Sequence, residues 1–294
     1  MIDAARAGPT AFDRRPATTT AIADVPVLSY RDGTARERSE SVVVEEPLEI
    51  RLQSRGETRR IAVTMRTPGA DLELAAGFVL NEAIVPSREA IVAIRHCDDP
   101  SLGEQERGNV VTVDVRDAVD ASTVLERHFT ISSACGVCGS ANIDLLRQRG
   151  YTMMRDHASI GATLLASLPE RMRPRQNVFA ATGGLHAAAL FALDGTLLAV
   201  REDIGRHNAV DKICGWLTMN ARDPSLTAVA VSGRCGYEIA QKALASGIPI
   251  VASVSAPSSL AVSLASAFDL TLAAFVRDGR WNVYAGAHRI RGLA

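Results

Sequence analysis

The run His186-Ala-Ala-Ala-Leu-Phe-Ala-Leu193, the pair Asp194-Gly195 and the run Thr196-Leu-Leu-Ala-Val-Arg201 decide the fold of this chain. Two apolar runs joined by Asp-Gly are typical of a β-hairpin. Beyond the hairpin, apolar segments of strand length alternate with segments of helical periodicity. The order strand, strand, helix, strand, helix, strand, helix, strand, strand predicts a layered α/β domain.

The predicted elements after this hairpin can be given in chain order. They are a helix over 209–221 capped by Asn208, a strand over 227–232, a helix over 237–246, a strand over 249–253, a helix over 258–267, a strand over 270–276 and, after the turn Asp278-Gly279, a strand over 281–285. Residues 243–268 carry no charge and are long enough to span a bilayer. Glycine and proline interrupt this segment, so we predict a buried strand followed by a buried helix, and no membrane span.

The first half of the chain mixes strand and helix signals. Residues 41–52 and 60–65 alternate like paired strands, and Val111, Val113 and Val115 alternate as another strand. Asp71 is the predicted cap of a helix over 72–83. We therefore predict an α+β arrangement for this half.

These signals divide the chain into four parts. We predict a disordered tail over 1–25, an N-terminal α+β domain over 26–134, a C-x-x-C turn and helix over 135–150, and a cofactor-binding α/β domain over 151–294. The tail is rich in alanine, threonine and arginine and lacks a continuous apolar region, which argues against a signal peptide.

Composition excludes several classes of protein. The chain has 294 residues, is 47% hydrophobic and has a net charge of −1, so no global field draws it to nucleic acid or to an anionic membrane. Its five cysteines are too few for a disulfide scaffold, and the odd number is typical of a reducing cytosol. We expect a cytoplasmic globular protein.

The most reactive feature of the sequence is Ser132-Ser-Ala-Cys135-Gly-Val-Cys138-Gly139. It follows an extended segment and precedes a predicted helix that ends at Gly150, so the two cysteines lie on a strand-to-helix turn. Glycines leave the sulfurs accessible, and the N-terminus of a helix favours a thiolate. Cys135 is therefore a candidate nucleophile.

Three hypotheses compete for this cysteine pair. A structural zinc site would need two further ligands from Cys97, Cys214, Cys235 or the histidines, and no second C-x-x-C or H-x-x-x-H exists. A thioredoxin-like dithiol would need a redox fold around the motif, yet most strand-forming sequence lies downstream. The third hypothesis is a nucleophilic or sulfur-carrying Cys135 with Cys138 as its helper. For the other three cysteines we expect small core residues.

Polar residues and glycines mark the ends of the predicted strands of the second half. The candidate ligand-binding residues in these loops are Gly183, Gly184, Arg206, His207, Ser232 and Arg234, with residues 255–259 beginning another helix. Glycines allow close backbone approach, while serines, helix N-termini and arginines suit phosphate oxygens. The functional interpretation is a phosphorylated or nucleotide ligand, and the alternative is ordinary turn and cap chemistry.

A family resemblance rests on six motifs that run in order along the chain. They are Glu45-Glu-Pro-Leu-Glu-Ile50, Met65-Arg-Thr-Pro-Gly69, Cys135-Gly-Val-Cys-Gly139, Thr182-Gly-Gly-Leu-His-Ala-Ala188, Arg201-Glu-Asp-Ile-Gly-Arg-His-Asn-Ala-Val-Asp-Lys212 and Ser255-Ala-Pro-Ser258. Together they resemble the FdhD family, the formate dehydrogenase accessory sulfurtransferases. The motifs cover nearly everything except the tail.

The resemblance implies a sulfur carrier in the maturation of a molybdenum- or tungsten-dependent formate dehydrogenase. A cysteine desulfurase would load a persulfide, and the protein would pass sulfur to the bis-(molybdopterin guanine dinucleotide) cofactor before insertion into the apo-enzyme. It also implies a homodimer and a cytidine-deaminase-like fold. The deaminase zinc chemistry does not carry over, because His186 is followed by Ala187-Ala188 instead of the x-Glu of H-x-E and the C-x-x-C lies upstream. No metal site is expected.

By the same resemblance, Cys135 carries the persulfide and Cys138 assists its release. The cofactor-binding segment maps onto Phe275, Val276, Arg277, Asp278, Gly279 and Arg280. Arg277 and Arg280 beside a glycine turn suit a pyrophosphate, and a plain hairpin is the alternative. Cys235 departs from the expected pattern, and the sequence leaves open whether it is a neutral substitution or an additional thiol near the pocket.

Two alternatives from other functional classes stay open at this stage. A cofactor-binding chaperone would hold the guanine dinucleotide without moving sulfur, and sulfane sulfur on Cys135 would distinguish it from a carrier. A zinc-stabilised structural protein would contain stoichiometric metal.

Overall fold

The computed structural model describes residues 20–116, 139–154 and 157–293. The strands are β1 Ile22–Arg31, β2 Thr34–Val43, β3 Glu46–Ser54, β4 Glu57–Arg66, β5 Ile91–His96, β6 Val110–Val115, β7 Ile160–Gly161, β8 His186–Ala192, β9 Leu197–Asp203, β10 Thr227–Val231, β11 Ile250–Ser253, β12 Thr271–Arg277, β13 Arg280–Ala285 and β14 Ile290–Arg291. The helices of these residues are α1 Asp71–Asn81, α2 Glu104–Gly108, α3 Gly139–Gln148, α4 Ala162–Met172, α5 Asn177–Thr182, α6 Arg206–Met219, α7 Tyr237–Ala245 and α8 Ser259–Ala267. The protein is a mixed α/β fold, as the sequence predicts.

The second half is built on a six-stranded sheet with the order β13-β12-β11-β10-β8-β9. Its centre, β10-β11-β12, is parallel, and the flanking pairs are antiparallel. Successive side chains enter opposite faces: Val229 packs with α6, α7 and α8, while Ala228 and Ala230 pack with α4. The central strands β10 and β11 are buried at every position because both faces of the sheet are covered there.

The first half contributes a four-stranded sheet with the order β4-β3-β6-β5, and α1 covers one of its faces. The other side of α1 lies against α6 of the second half. At this crossing the helix backbones touch through two glycines. A Cβ on Gly77 would lie 1.9 Å from the carbonyl oxygen of Asp211, and one on Gly215 would lie 1.8 Å from that of Glu73. The two sheets are therefore joined through two helices whose backbones touch at these glycines.

Two predicted helix caps are wrong. Helix α6 begins at Arg206, and Asn208 lies inside its first turn, where the Nδ2 donates to Asp203 Oδ1 (3.0 Å) and to the carbonyl of Met65 (2.8 Å). Helix α1 is preceded by Ala70 in the left-handed conformation, and the Asp71 carboxylate instead accepts hydrogen bonds from Arg66 (both 3.0 Å). Both side chains make these tertiary contacts and do not cap the helices.

The sequence prediction also missed the first hairpin, β1–β2. The predicted strand over 41–52 is in fact the end of β2 and most of β3, and β1 begins at Ile22, so residues 22–25 of the predicted tail lie in a strand. The pairings β3–β4 and β8–β9 confirm the other predicted hairpins.

The uncharged stretch 243–268 forms the end of α7, strand β11 and helix α8, as predicted. Within the described part of the chain, no helix combines the length and apolar character needed to cross a membrane.

Candidate functional site

The loops singled out in the sequence meet at one edge of the six-stranded sheet. Strands β9, β10, β11 and β12 all end there, and β8, which is antiparallel to β10, begins there. The pairs His186–Asp203 and Ala188–Val231 fix this register. Helices α6, α7 and α8 follow β9, β10 and β11, so their N-termini face the same edge, where partial positive charge favours anions.

A cavity of about 500 Å³ opens at this edge. Six of the twelve residues predicted to bind cofactor line it, namely Gly183, Gly184, Ser232, Val276, Arg277 and Asp278. His186 lines it as well, and helices α4 and α5 supply the facing wall. The structure thus brings loops that are distant in sequence around a single space.

The floor of this corner is fixed by short hydrogen bonds. The Ser232 hydroxyl accepts from the backbone N–H of Ala187 at 2.9 Å, which holds the start of β8, and its O–H can still donate to a ligand. The buried Ser253 hydroxyl donates to the carbonyl of Gly233 at 2.8 Å. A Cβ on Gly233 would lie 3.2 Å from Nδ1 of His186, so a side chain there would press on the imidazole.

His186 stands in a cationic surrounding. Burial lowers the pKa of its imidazole below the usual range, and the positive charges of Arg206, His207 and Arg234 lower it further, against a smaller opposing effect from Asp203. These three predicted residues do not line the cavity, but they lie close enough to His186 to act on its titration. The corner therefore holds a neutral imidazole beside permanent positive charge.

His207 and Arg206 differ in their hydrogen bonding. His207 Nε2 lies 2.7 Å from Glu238 Oε2, and this contact lowers the pKa of the Glu238 carboxyl. The Nε of Arg206 is buried and has no hydrogen-bond partner among the described residues. An unsatisfied buried donor is costly. Arg206 does not line the cavity, so this buried donor is not placed to meet a ligand there. Arg277 does line the cavity and is exposed, and its guanidinium suits a phosphate group.

The predicted segment from Phe275 to Arg280 is more than a plain hairpin. The register of β12 against β13 shifts between Ala274 and Arg277, and Phe275 has φ +57°, in the left-handed region that a bulky side chain rarely adopts. Asp278 and Gly279 form the predicted turn with φ of +52° and +70°. Strained backbone of this kind clusters at functional sites. The bulge leaves Arg277 and Arg280 exposed at the sheet edge.

The long motif of residues 201–212 serves mainly as a joint between the two halves. Asp203 accepts hydrogen bonds from the Thr67 N–H at 3.2 Å and lies 2.7 Å from the Lys212 ammonium. Lys212 also donates to the carbonyl of Thr67 at 2.9 Å, and Arg201 pairs with Glu73. Two motifs of the family resemblance, residues 65–69 and 201–212, are therefore in direct contact. Sequence analysis gave this run as a ligand loop, a helix start and a family motif, and it did not predict this contact with residues 65–69.

The cysteines separate into two groups. Cys135 and Cys138 lie outside the described residues, and helix α3 begins directly after them at Gly139, as predicted. Burial raises the pKa of Cys214 to about 11 and that of Cys235 to about 12, so neither forms a thiolate at neutral pH. Cys214 and Cys235 are buried, as expected of small core residues, whereas Cys97 is only half-buried.

Sequence analysis missed the facing wall of the cavity. It is formed by Pro169, Met172 and Gln176 with the aromatic ring of Phe179. No motif marks this segment, and only its packing across the sheet brings it to the site. The fold and site together define a mixed α/β protein with an arginine-bordered cavity at the carboxyl edge of its larger sheet.

Comparison with known proteins identifies the family. The profile of the FdhD/NarQ family matches residues 43–291, and the chain belongs to this family. A relative from Mycolicibacterium paratuberculosis is 47% identical over 263 residues, which cover 88% of this chain and 94% of the relative. One from Streptomyces coelicolor is 46% identical over 90% of this chain and 94% of its own. One from Anaeromyxobacter sp. is 45% identical over 96% and 98%. All three are named sulfur carrier protein FdhD.

A solved structure has the same fold. It is a crystal structure from Desulfotalea psychrophila of a protein with the provisional name formate dehydrogenase accessory protein. The TM-score is 0.71 at 24% sequence identity, over 92% of this chain and all of that one.

Proposed function

We propose that this protein is a sulfur carrier in the maturation of formate dehydrogenase. It takes persulfide sulfur from a cysteine desulfurase on Cys135 and passes it to the bis-(molybdopterin guanine dinucleotide) cofactor, its cargo, before insertion into the apo-enzyme. Family membership and the names of its relatives support the carrier role. The observation that carries the cargo assignment is the convergence of six residues from three of the predicted loops on one cavity.

The sulfur chemistry follows from the C-x-x-C motif. The Cys135 thiolate attacks the terminal sulfur of the donor persulfide, the donor S–S bond breaks, and the donor leaves as a thiolate. Cys135 then carries the persulfide. Attack by the Cys138 thiolate on the Cys135 sulfur expels the terminal sulfur as hydrosulfide for the cargo, and it leaves a disulfide that a cellular dithiol must reduce. The position of the motif directly before α3 favours both thiolates.

The cavity edge supplies what a guanine dinucleotide needs at its pyrophosphate. Arg277 lines the cavity, with Arg280 paired to it across the turn, and Gly183 and Gly184 allow the backbone to approach closely. The neutral imidazole of His186 adds a donor or acceptor without adding a full charge. The proposal also includes cytidine-deaminase-like layering of residues 151–294, a homodimer and a cytoplasmic location.

The cargo assignment is tested by thermal unfolding with GDP. A ligand that binds only the native state raises the melting temperature by mass action. GDP should raise it more than guanosine does, because guanosine lacks phosphates. Arg277→Ala should reduce this shift, whereas the control Arg59→Ala, at an exposed arginine of β4, should not. If millimolar GDP leaves the melting curve of the wild type unchanged, the proposal that this cavity binds the cofactor is refuted.

The carrier role is tested by mass spectrometry after incubation with a cysteine desulfurase and cysteine. Cys135 should gain one sulfur atom, Cys135→Ser should gain none, and the control Cys97→Ser should load normally. If GDP binds and Cys135 gains no sulfur, the protein is a cofactor chaperone and not a sulfur carrier.

A further inference from the structure

A second cleft, of about 910 Å³, opens at the other end of the six-stranded sheet. Pro224 and Ser246 line it, and they lie shortly before β10 and β11 begin, so it faces the amino edge of the sheet. Leu80, from the end of α1, and Leu217, from the last turn of α6, line it as well. The cleft therefore lies between the two halves of the chain, away from the candidate site described above.

The charged groups of this cleft are unequally paired. Three exposed arginines line it, namely Arg88, Arg149 and Arg222. None of the three has a side-chain hydrogen bond or an ion pair within the part of the chain that the structure describes. The two carboxylates of the cleft are engaged in their own loops: Glu89 accepts from the Ser87 hydroxyl, and Asp223 accepts from the N–H and the hydroxyl of Ser225 at 2.9 and 2.7 Å. The cleft therefore presents guanidinium donors that no described carboxylate accepts.

The rest of the lining is largely apolar. Val85 and Leu217 are buried there, with Leu80 and the half-buried ring of Tyr151 beside them. Guanidinium groups suit carboxylates, and arginine and tyrosine are enriched among the residues that carry most of the binding energy at protein interfaces. A segment of a partner protein in which acidic residues flank an apolar side chain matches this combination.

Helix α3 joins this cleft to the cysteine motif. Arg149, Gly150 and Tyr151 directly follow the last residue of the helix, and Cys138 directly precedes its first. A helix of 10 residues is about 15 Å long. A protein interface of ordinary size covers about 800 Å² on each partner, which is a patch about 30 Å across. A partner centred on the cleft therefore extends to the start of α3.

We propose that this basic cleft, defined by Arg88, Arg149, Arg222 and Tyr151, is the docking site of the protein that donates the persulfide, and that it binds an acidic segment of that donor. The inference rests on the proposed function and deepens it by placing the donor on the carrier. The cavity for the cargo lies at the opposite edge of the sheet, so the donor can dock while the cargo is bound. Because the whole chain has a net charge of −1, the attraction is local to the cleft.

The kinetics with which a cysteine desulfurase loads Cys135 test this inference. Initial rates of sulfur gain, measured by mass spectrometry at increasing concentrations of the full-length protein, give the KM and kcat of the desulfurase for its acceptor. The double variant Arg149→Glu/Arg222→Glu should raise KM about tenfold, because attraction to acidic residues becomes repulsion, and should change kcat less than about twofold. Higher ionic strength should slow the loading of the wild type and not that of the variant, since salt screens exposed charges.

A small donor separates docking from the reactivity of the thiol. Glutathione persulfide needs no docking site for a protein, so it should load Cys135 of the wild type and of the double Glu variant at equal rates. The matched control Arg59→Glu/Arg60→Glu reverses two exposed arginines of β4 and should leave KM unchanged. Arg149→Lys/Arg222→Lys keeps both positive charges and should raise KM far less than the double Glu variant does.

Two results would overturn the inference. One is a double Glu variant that the desulfurase loads with the KM of the wild type. The other is loading of this variant that is slowed equally with the desulfurase and with glutathione persulfide, because the arginines would then act on the thiol and not on docking. A wild type that gains no sulfur from the desulfurase would instead overturn the proposed function.

Discussion

Replacing Gly77 by alanine places a methyl group where α1 and α6 touch through their backbones. The new Cβ would lie 1.9 Å from the carbonyl oxygen of Asp211. An ordinary contact requires the helices to move apart by about 1.5 Å. The same movement would pull Asn81 Nδ2 away from the buried carboxylate of Asp211, to which it now donates at 2.7 Å.

The expected loss follows from these contacts. Overpacking of a close contact costs about 1–3 kcal/mol, and a buried acceptor that loses its donor costs about 1–3 kcal/mol. The better helix propensity of alanine offsets about 1 kcal/mol. We expect Gly77→Ala to lower the free energy of unfolding by about 3 kcal/mol. Gly215→Ala should behave similarly, because its Cβ would lie 1.8 Å from the carbonyl oxygen of Glu73.

Urea unfolding, followed by far-UV circular dichroism, measures both losses and their coupling. One separation of the helices makes room for both methyl groups, so the double variant should lose clearly less than the two single losses combined. Gly161→Ala is the control, because a Cβ there meets nothing within 4 Å. Single losses below about 0.5 kcal/mol, or strict additivity in the double variant, would refute rigid backbone contact at this crossing.

Three further predictions concern buried charge, histidine titration and thiols. Lys212→Met leaves Asp203 buried without its ammonium partner and should lower the free energy of unfolding by about 3 kcal/mol. A loss below about 1 kcal/mol would show that this ion pair does not stabilise the contact between the two halves. Because the pKa of His186 is lowered in the folded protein, the unfolded chain binds more protons below about pH 6.5. Stability should therefore fall further from about pH 7.5 to about pH 5.5 in the wild type than in His186→Gln, and equal losses in urea titrations would contradict this. Iodoacetamide should label Cys97 in the folded protein much faster than Cys214 or Cys235, and peptide mass spectrometry showing equal rates would mean that the core opens readily.

The order of strands and helices along the second half could be predicted because apolar runs of strand length alternate there with segments of helical periodicity. The first hairpin was missed because most of its strand residues are polar or exposed, as in the charged run of β2. Its one signal was the pair Asp32-Gly33, which has positive φ at both residues, as a tight hairpin turn requires. The caps failed for another reason: Asn208 and Asp71 are typical cap residues, but contacts distant in sequence claimed their side chains.

The sequence predicted the part of the candidate site that lies at the sheet edge, but not the facing wall of the cavity. Loops that follow parallel strands meet at one edge, so the sheet order was enough to group Ser232 with Arg277. Gln176 could not be found, because it reaches the cavity only through the packing of α4 across the other face of the sheet. The role of Lys212 was equally hidden, since its partner Thr67 is 145 residues away.

The glycine crossing and the buried joint also determine how this chain can be divided for study. A fragment of residues 151–294 would expose the bare backbone groove of α6. It would also strip Lys242 of Glu82, which lies 3.0 Å away, and Lys212 of the Thr67 carbonyl. In such a fragment, surface that is buried against the N-terminal half of the full-length protein would be exposed. We therefore expect the fragment to aggregate on expression. Binding assays on the cavity therefore need the N-terminal sheet in the same polypeptide.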